Sequence, residues 1–144
     1  MSPIQGVHHI NLLVADLEAA VERWRAVMGN REPIIDDLPT RGVRTARFEV
    51  GDTWIVLVQP VAEGEPMRIL RERGEGLFLL SLSVDSIDAC RGSAPEASGL
   101  GQHIAIGETR PGLQNWLVAD LDACLAPGAI IQLTELGPLT EEPQ

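Results

Sequence analysis

The polar side chains of the first predicted strand are the first candidates for chemistry in this sequence. Residues 7–14 form an extended apolar run, in which side chains alternate between two faces. His9 and Asn11 share one face, whereas the other face, with Ile10 and Leu12, is apolar. A His and an Asn that line a cavity can contact a ligand or a metal ion, and the alternative is a hydrogen-bonded structural His. We expect both side chains to contact a ligand.

A second candidate pair lies on a later predicted strand. Arg47 and Glu49 are two residues apart, so both side chains point to the same side of that strand. If that side lines a cavity, Glu49 is the best general base and Arg47 an anion clamp. If it faces solvent, the two form an ordinary surface ion pair. The chain has neither Lys nor Tyr, which leaves Asp, Glu, His and Cys as acid–base groups.

The elements that must position these residues occur twice. VADLEAA at 14–20 and VDSIDAC at 84–90 each indicate the end of a strand, a polar N-cap and the start of a helix. The last strands also match, with IVL at 55–57 and IQL at 131–133. After its helix, each half contains three strand candidates. In the first half these are Pro33–Asp36, Val43–Val50 and Thr53–Gln59. In the second half they are His103–Ile106, Leu113–Val118 and Ala129–Thr134.

This pattern predicts a single α+β domain of paired βαβββ modules. The modules fall at about residues 6–60 and 77–136, with a joint at 61–76 and a tail at 137–144. Helices are expected outside a curved, cupped mixed sheet whose concave faces hold a small molecule. The first helix is the best specified, because its apolar residues share one face at helical spacing: Leu17, Ala20, Val21, Trp24, Val27 and Met28.

Composition excludes some partners. The chain has 144 residues and a formal net charge of -10, which argues against nucleic acid and anionic membranes because both need clustered positive charge. A few local Arg residues can still hold a small anion. No apolar run is long enough to span a membrane and no leader is recognised, so we expect a cytoplasmic protein.

The opening segment supports a family resemblance. GVHHINLLVADLEAA at 6–20 resembles the start of the vicinal oxygen chelate superfamily, which includes glyoxalases, bleomycin-resistance proteins and extradiol dioxygenases. The nearest pattern is that of methylmalonyl-CoA epimerase and its relatives, and RERGEGL at 71–77 is similar to a stretch that often precedes their fifth strand. The resemblance covers about residues 6–136. It implies the glyoxalase-like fold and a homodimer.

The resemblance also locates a metal site. Metal-dependent members hold one divalent cation with four side chains, and these positions fall here on His9, Val56, Leu79 and Gln132. Val56 and Leu79 have no donor atom, and a lone His with a Gln amide does not satisfy a Zn or Mn ion, which takes about four to six ligands. We therefore expect no metal and no cofactor. His103 either adds a third neutral ligand or lies in an ordinary sheet or loop.

The rest of the expected pocket is apolar. Trp54 shares the parity of Val56, and Trp116 lies on a predicted strand of the second half. Together with Val56, Leu79 and Ile130, these two indoles predict an apolar pocket with few polar groups. His103 is included among its ligand contacts.

The predicted function is metal-independent proton transfer, of an isomerase, epimerase or cyclase type, on a small apolar molecule or an acyl thioester. His9 or Glu49 would move the proton, while Asn11 and Gln132 would hold an oxygen atom. Two alternatives stay open. One is a non-catalytic binding or resistance protein, and the other is a metal-dependent methylmalonyl-CoA epimerase or glyoxalase-type lyase.

Overall fold

A computed structural model describes residues 3–91, 105–112, 116–121 and 128–136. The chain divides into two compact units, and each is described by itself. The first unit is His9–Phe78, and the second combines residues 1–8 with Leu79–Gln144.

The first unit contains a four-stranded sheet with the order β2-β3-β4-β1. Strand β3 is antiparallel to both of its neighbours, and β1 is parallel to β4. Gly51, with φ of +60°, allows the tight turn between β3 and β4. The elements are β1 (Gly6–Leu13), α1 (Leu17–Val27), β2 (Ile34–Leu38), a 3-10 turn (Pro39–Arg41), β3 (Val43–Val50), β4 (Thr53–Pro60) and α2 (Glu65–Arg73).

Helix α1 begins where two side chains accept its first free N–H groups. The Asp16 carboxylate accepts a hydrogen bond from the Ala19 N–H at 3.1 Å, and Gln59 Oε1 accepts one from the Leu17 N–H at 2.8 Å. The helix packs its buried residues against Ala46, Phe48 and Leu57 of the sheet. Val27 is a correction to the predicted buried face, since it is 74% exposed. It lies at the edge of the apolar stripe, in the last residue of the helix.

The second unit repeats this arrangement. Its sheet has the order β5-β8-β7-β6, with β5 parallel to β8 and with β7 antiparallel to β8 and β6. Its core consists of apolar residues of α3 and the sheet, among them Ile87, Ala119 and Leu133. The elements are β5 (Gly76–Ser83), α3 (Ile87–Arg91), β6 (Arg110–Pro111), β7 (Trp116–Asp120) and β8 (Ile130–Leu136).

The hydrogen bonds at the start of α3 match those of α1. Ser86 Oγ accepts a hydrogen bond from the Ala89 N–H at 3.0 Å, and Glu135 Oε1 accepts one from the Ile87 N–H at 2.8 Å. Residues preceding the two helices also match, because Val14 N–H donates to Val58 O and Val84 N–H to Thr134 O. The predicted pair of βαβββ modules is therefore confirmed.

The second unit departs from the predicted strands before β7. Of the candidate strand His103–Ile106, the part at 103–104 lies outside the described residues, and Ile106 forms a single bridge with Leu121. The strand that pairs with β7 is instead Arg110–Pro111. Pro111 has no N–H to donate, which is consistent with so short a strand at the edge of a sheet. None of the helices in the described ranges is both long and apolar enough to cross a membrane.

Candidate functional site

Each sheet has one face packed on its helix and a second face, which we call the distal face. In the first unit, Ala46 and Leu57 point to α1, so the alternate residues of β3 and β4 belong to the distal face. On β1, Leu12 packs toward α1, which leaves His9 and Asn11 on the distal face as the alternation predicts. The remaining distal residues of β1, β3 and β4 are Leu13, Thr45, Arg47, Glu49, Trp54, Val56 and Val58.

Several polar side chains of this first distal face are buried. His9, Thr45 and Arg47 are 5%, 4% and 4% exposed, and Asn11 is half-buried. Among the described residues, the buried atoms Asn11 Oδ1 and Thr45 Oγ1 have no hydrogen-bond partner. Buried polar atoms in folded proteins nearly always have a partner, so a bound molecule or an ordered water completes such a site.

Arg47 supplies the buried positive charge of this face. Its Nη1 lies 3.5 Å from Asp36 Oδ2, and its guanidinium carbon lies 5.1 Å from the centre of the Trp54 ring. Burial lowers the pKa of Arg47, and the negative charge of Asp36 acts in the opposite direction. A guanidinium nevertheless remains protonated near neutral pH. The face therefore presents a cation that is largely withdrawn from water.

Glu49 lies at the exposed end of this face. It is exposed, its Cα is opposite that of Trp54, and its backbone carbonyl accepts a hydrogen bond from Arg31 at 2.7 Å. The partner that the structure gives Arg47 is Asp36, which the sequence did not single out. The register of β2 against β3, which places Asp36 opposite Thr45, is what brings that carboxylate close.

The distal face of the second unit carries a hydrogen-bonded ladder across three strands. Arg110 Nη2 donates to Asp120 Oδ1 at 3.0 Å, and Gln132 Nε2 donates to the same oxygen at 3.2 Å. Gln132 is 4% exposed, and its Oε1 has no hydrogen-bond partner among the described residues. Asp120 and Arg110 did not emerge from the sequence, because only the register of β6, β7 and β8 aligns them with Gln132.

Two buried hydroxyl groups lie beside this ladder. Ser81 Oγ and Thr134 Oγ1 are hydrogen-bonded to each other, and Ser81 Oγ also donates to the backbone carbonyl of Gln132 at 3.4 Å. Both residues are at most 1% exposed. The two hydroxyls are therefore hydrogen-bonded to each other and to the backbone. Neither of these two described hydrogen bonds involves Gln132 Oε1.

The other predicted contacts of the second unit are apolar or aromatic. Leu79 is buried with its Cα opposite that of the half-buried Ile130. Trp116 is 4% exposed and packs edge-on against His8, with ring centres 4.4 Å apart. His8 is thus a buried residue, and burial lowers its pKa. His103 lies outside the described residues.

Comparison with known proteins identifies the family. Residues 8–119 match the Glyoxalase/Bleomycin resistance protein/Dioxygenase superfamily. The chain belongs to this superfamily. It is 27% identical over 135 residues to the ethylmalonyl-CoA/methylmalonyl-CoA epimerase of Cereibacter sphaeroides, an alignment that covers 92% of this chain and 99% of that protein. The resemblance drawn from residues 6–20 is confirmed.

Solved structures of superfamily members share the fold. Methylmalonyl-CoA epimerase from Mycobacterium tuberculosis aligns with a TM-score of 0.78 and 27% identity, covering 96% of this chain and 92% of that one. An epimerase from Streptomyces coelicolor, in complex with 2-nitronate-propionyl-CoA, aligns with a TM-score of 0.76 and 21% identity, covering 94% and 99%. These likenesses confirm the glyoxalase-like fold.

Proposed function

We propose that this member of the superfamily binds an acyl thioester on the distal face of its first unit and transfers a proton without a divalent metal ion. The observation that carries the proposal is the buried polar set of that face. His9 and Arg47 are almost fully buried, and Asn11 Oδ1 and Thr45 Oγ1 lack partners among the described residues. A bound molecule whose oxygen accepts a hydrogen bond from the Thr45 hydroxyl would remove the cost of burying that group.

The thioester assignment is supported by relatives and by the chemistry of the face. The relative from Cereibacter sphaeroides is named as an epimerase of ethylmalonyl-CoA and methylmalonyl-CoA. In this chain, the buried charge of Arg47 suits a carboxylate or an enolate oxygen. Trp54, Val56 and Val58 on the same face suit a short acyl group.

The proposed chemistry is removal and return of the proton next to the thioester carbonyl. The neutral His9 imidazole accepts that proton, and the electron pair of the broken C–H bond forms an enolate. The positive charge of Arg47 and the amide N–H groups of Asn11 stabilise the enolate oxygen. His9 then returns the proton to the same carbon. Glu49, at the exposed end of the face, is placed to exchange protons with water.

The residues present do not fit the cation of metal-dependent relatives. Of the four positions that the resemblance assigns to ligands, Val56 and Leu79 are buried aliphatic residues. At the fourth position, Gln132 offers only its neutral amide oxygen Oε1, because its Nε2 donates to Asp120. In the described part of the chain, no cluster of three or more His, Cys, Asp or Glu side chains could hold a metal ion. These residue types support proton transfer by the protein's own groups.

The test is deuterium exchange in the presence of a chelator. Protein purified without chelator is first analysed for bound metal, then incubated with excess chelator and methylmalonyl-CoA in D₂O, and deuterium at C2 is followed by mass spectrometry. We expect exchange above the protein-free rate, and we expect His9→Gln to lower it by about 100-fold or more. Glu22→Gln, at an exposed position of α1, is the matched control and keeps the wild-type rate.

Two results would contradict the proposal. One is exchange that continues unchanged in His9→Gln. The other is exchange that requires one stoichiometric divalent ion per chain, which would favour the metal-dependent alternative.

A non-catalytic binder is the second candidate function. It is favoured by the exposure of Glu49, since the described first distal face then keeps a single buried acid–base group, His9. Quenching of Trp fluorescence by methylmalonyl-CoA, without deuterium exchange at C2, would select this function over proton transfer. Trp54 on the same face is the expected reporter.

A further inference from the structure

The distal face of the first unit consists of cross-strand rows that run across its sheet. His9 and Trp54 share one row, and Asn11, Val56 and Arg47 share the next. The residues of the third row are Leu13, Val58, Thr45 and Asp36. Neighbouring rows are about 7 Å apart, because they are separated by two residues along each strand. A ligand that lies along β4 therefore contacts the three rows in this order.

The two ends of this face differ in exposure. In the first row, Trp54 is half-buried, and Glu49 opposite it is exposed. In the third row, Leu13, Thr45 and Val58 are 1%, 4% and 4% exposed. The bulky CoA moiety of a bound thioester needs the exposed end. The acyl chain must then point along β4 from the first row toward the third.

Helix α2 lies at the buried end of the face. It follows β4 in the chain and contacts that strand. Shortly after the helix, Glu75 Oε2 accepts a hydrogen bond from the Ala15 N–H at 2.8 Å. Because Ala15 comes just after β1, the segment from α2 to Glu75 bridges the ends of β4 and β1. Those strand ends carry Val58 and Leu13, so this segment leaves the opposite end of the face as the exit for CoA.

The third row contains a polar pair beside its aliphatic residues. Thr45 lies directly opposite Asp36, so their Cβ atoms are about 5 Å apart. Thr45 Oγ1 and Asp36 Oδ2 are both buried and have no hydrogen-bond partner among the described residues. A hydroxyl group can donate and a carboxylate only accepts, so the row offers a donor and an acceptor side by side.

The carboxylate of this pair belongs to the edge strand. Asp36 Oδ2 lies 3.5 Å from Arg47 Nη1, which keeps the acid ionised beside the hydroxyl of Thr45. In the second unit, the corresponding pair has its charges exchanged, with Arg110 on the edge strand β6 and Asp120 on β7. An acceptor on the edge strand is therefore a feature of the first distal face.

We propose that Thr45 and Asp36 select acyl thioesters that carry a hydroxyl group on C3 over the corresponding unsubstituted acyl thioesters. This inference rests on the proposed thioester function, in which the first two rows hold C2 and the thioester carbonyl. C3 is then the first carbon that reaches the third row. A hydroxyl group there accepts a hydrogen bond from Thr45 and donates one to Asp36 Oδ2. A methylene group leaves both polar atoms buried without partners, which weakens binding.

The probes are butyryl-CoA and the two enantiomers of 3-hydroxybutyryl-CoA, which share one carbon skeleton. Their dissociation constants are measured by calorimetry with the full chain. We expect the wild type to bind the better enantiomer about tenfold or more tightly than butyryl-CoA. Thr45→Val keeps the shape of the side chain without the hydroxyl, so the preference should fall by about fivefold or more. Thr45→Ser keeps the hydroxyl and is the matched control, in which the preference is retained.

Thermal unfolding of the ligand-free protein separates binding from a structural role of the hydroxyl. A buried hydroxyl group without a partner costs stability, so Thr45→Val should unfold at the wild-type temperature or above it. A lower unfolding temperature in Thr45→Val, together with an unchanged preference between the probes, would show that the hydroxyl stabilises the fold and would overturn the inference.

The outcomes also separate this inference from the function on which it rests. Equal affinities of the wild type for all three probes would overturn the inference, and an ordered water would then be the partner of the Thr45 hydroxyl. An unchanged preference in Thr45→Val would overturn it as well. In both cases, deuterium exchange into methylmalonyl-CoA would continue to support the function. Failure of the three probes and of methylmalonyl-CoA to bind would overturn both.

Discussion

The two units of this protein share a frame and differ in the chemistry of their distal faces. In each unit, the first N–H group of the helix donates a hydrogen bond to a side chain of the last strand, which is Gln59 in the first unit and Glu135 in the second. The distal positions have diverged, since Val56 of one unit corresponds in register to Gln132 of the other. Every copy of the module needs its helix start and its core, whereas a face that meets a ligand can change with that ligand.

The helix-packed cores differ in size as well. Helix α1 has 11 residues, and the described part of α3 has 5. The first core includes Phe48, and Trp24 packs against it, whereas the described core of the second unit contains only aliphatic side chains and Cys90. The first unit therefore buries the larger apolar side chains, and it should contribute more to stability per core residue.

The largest expected effect comes from truncating the matched core leucines. Leu57 and Leu133 are both 0% exposed and occupy corresponding strand positions. Leu57→Ala and Leu133→Ala should each lower the free energy of unfolding by about 2–5 kcal/mol, with the greater loss at Leu57 because larger side chains surround it. Urea denaturation measures both values. A greater loss of unfolding free energy in Leu133→Ala would contradict the conclusion that the first core buries the larger side chains.

The ion pairs give the next effect. Asp36→Asn removes a negative charge 3.5 Å from the nearly buried Arg47, and we expect the free energy of unfolding to fall by about 1–3 kcal/mol. Arg110→Gln removes the partner of Asp120 at a site where both side chains are at least 40% exposed, so the loss should stay below about 1 kcal/mol. Equal losses, again measured in urea, would show that burial does not distinguish the two pairs.

The smallest effect is a pH dependence that belongs to His8 of the second unit. Burial holds its folded pKa below 6.5, so between the folded pKa and pH 6.5 the unfolded chain binds a proton that the folded chain does not. This contribution to stability is fully present above pH 6.5 and is lost as the pH falls through the folded pKa. Urea denaturation at several pH values should show a smaller acid-side loss for His8→Phe. An identical acid-side loss of stability in the wild type and in His8→Phe would be evidence against a contribution from His8.

The sequence was sufficient for those features that local patterns determine. The repeat of VADLEAA and VDSIDAC predicted two modules, and the alternation on β1 predicted that His9 and Asn11 share a face away from α1. These predictions succeed because capping and side-chain alternation depend on residues that are close along the chain.

The features that were missed depend on register between strands. Asp36 reaches Arg47, and Asp120 reaches Gln132, only because residues far apart in sequence become cross-strand neighbours. The burial of His8 depends in the same way on Trp116. A strand pattern shows which face a residue occupies but not which residue lies opposite, so the partners of the predicted site residues could not be named.

The most direct test of the account is to give the first unit the polarity of the second. The variant D36R/R47D keeps an ion pair on β2 and β3 but replaces the buried cation by an anion. Circular dichroism should show a retained fold, and calorimetry should show methylmalonyl-CoA binding weakened by about tenfold or more, because a carboxylate-bearing thioester then meets a negative charge. Unchanged affinity in a folded variant would contradict the claim that this face binds the ligand through its positive charge.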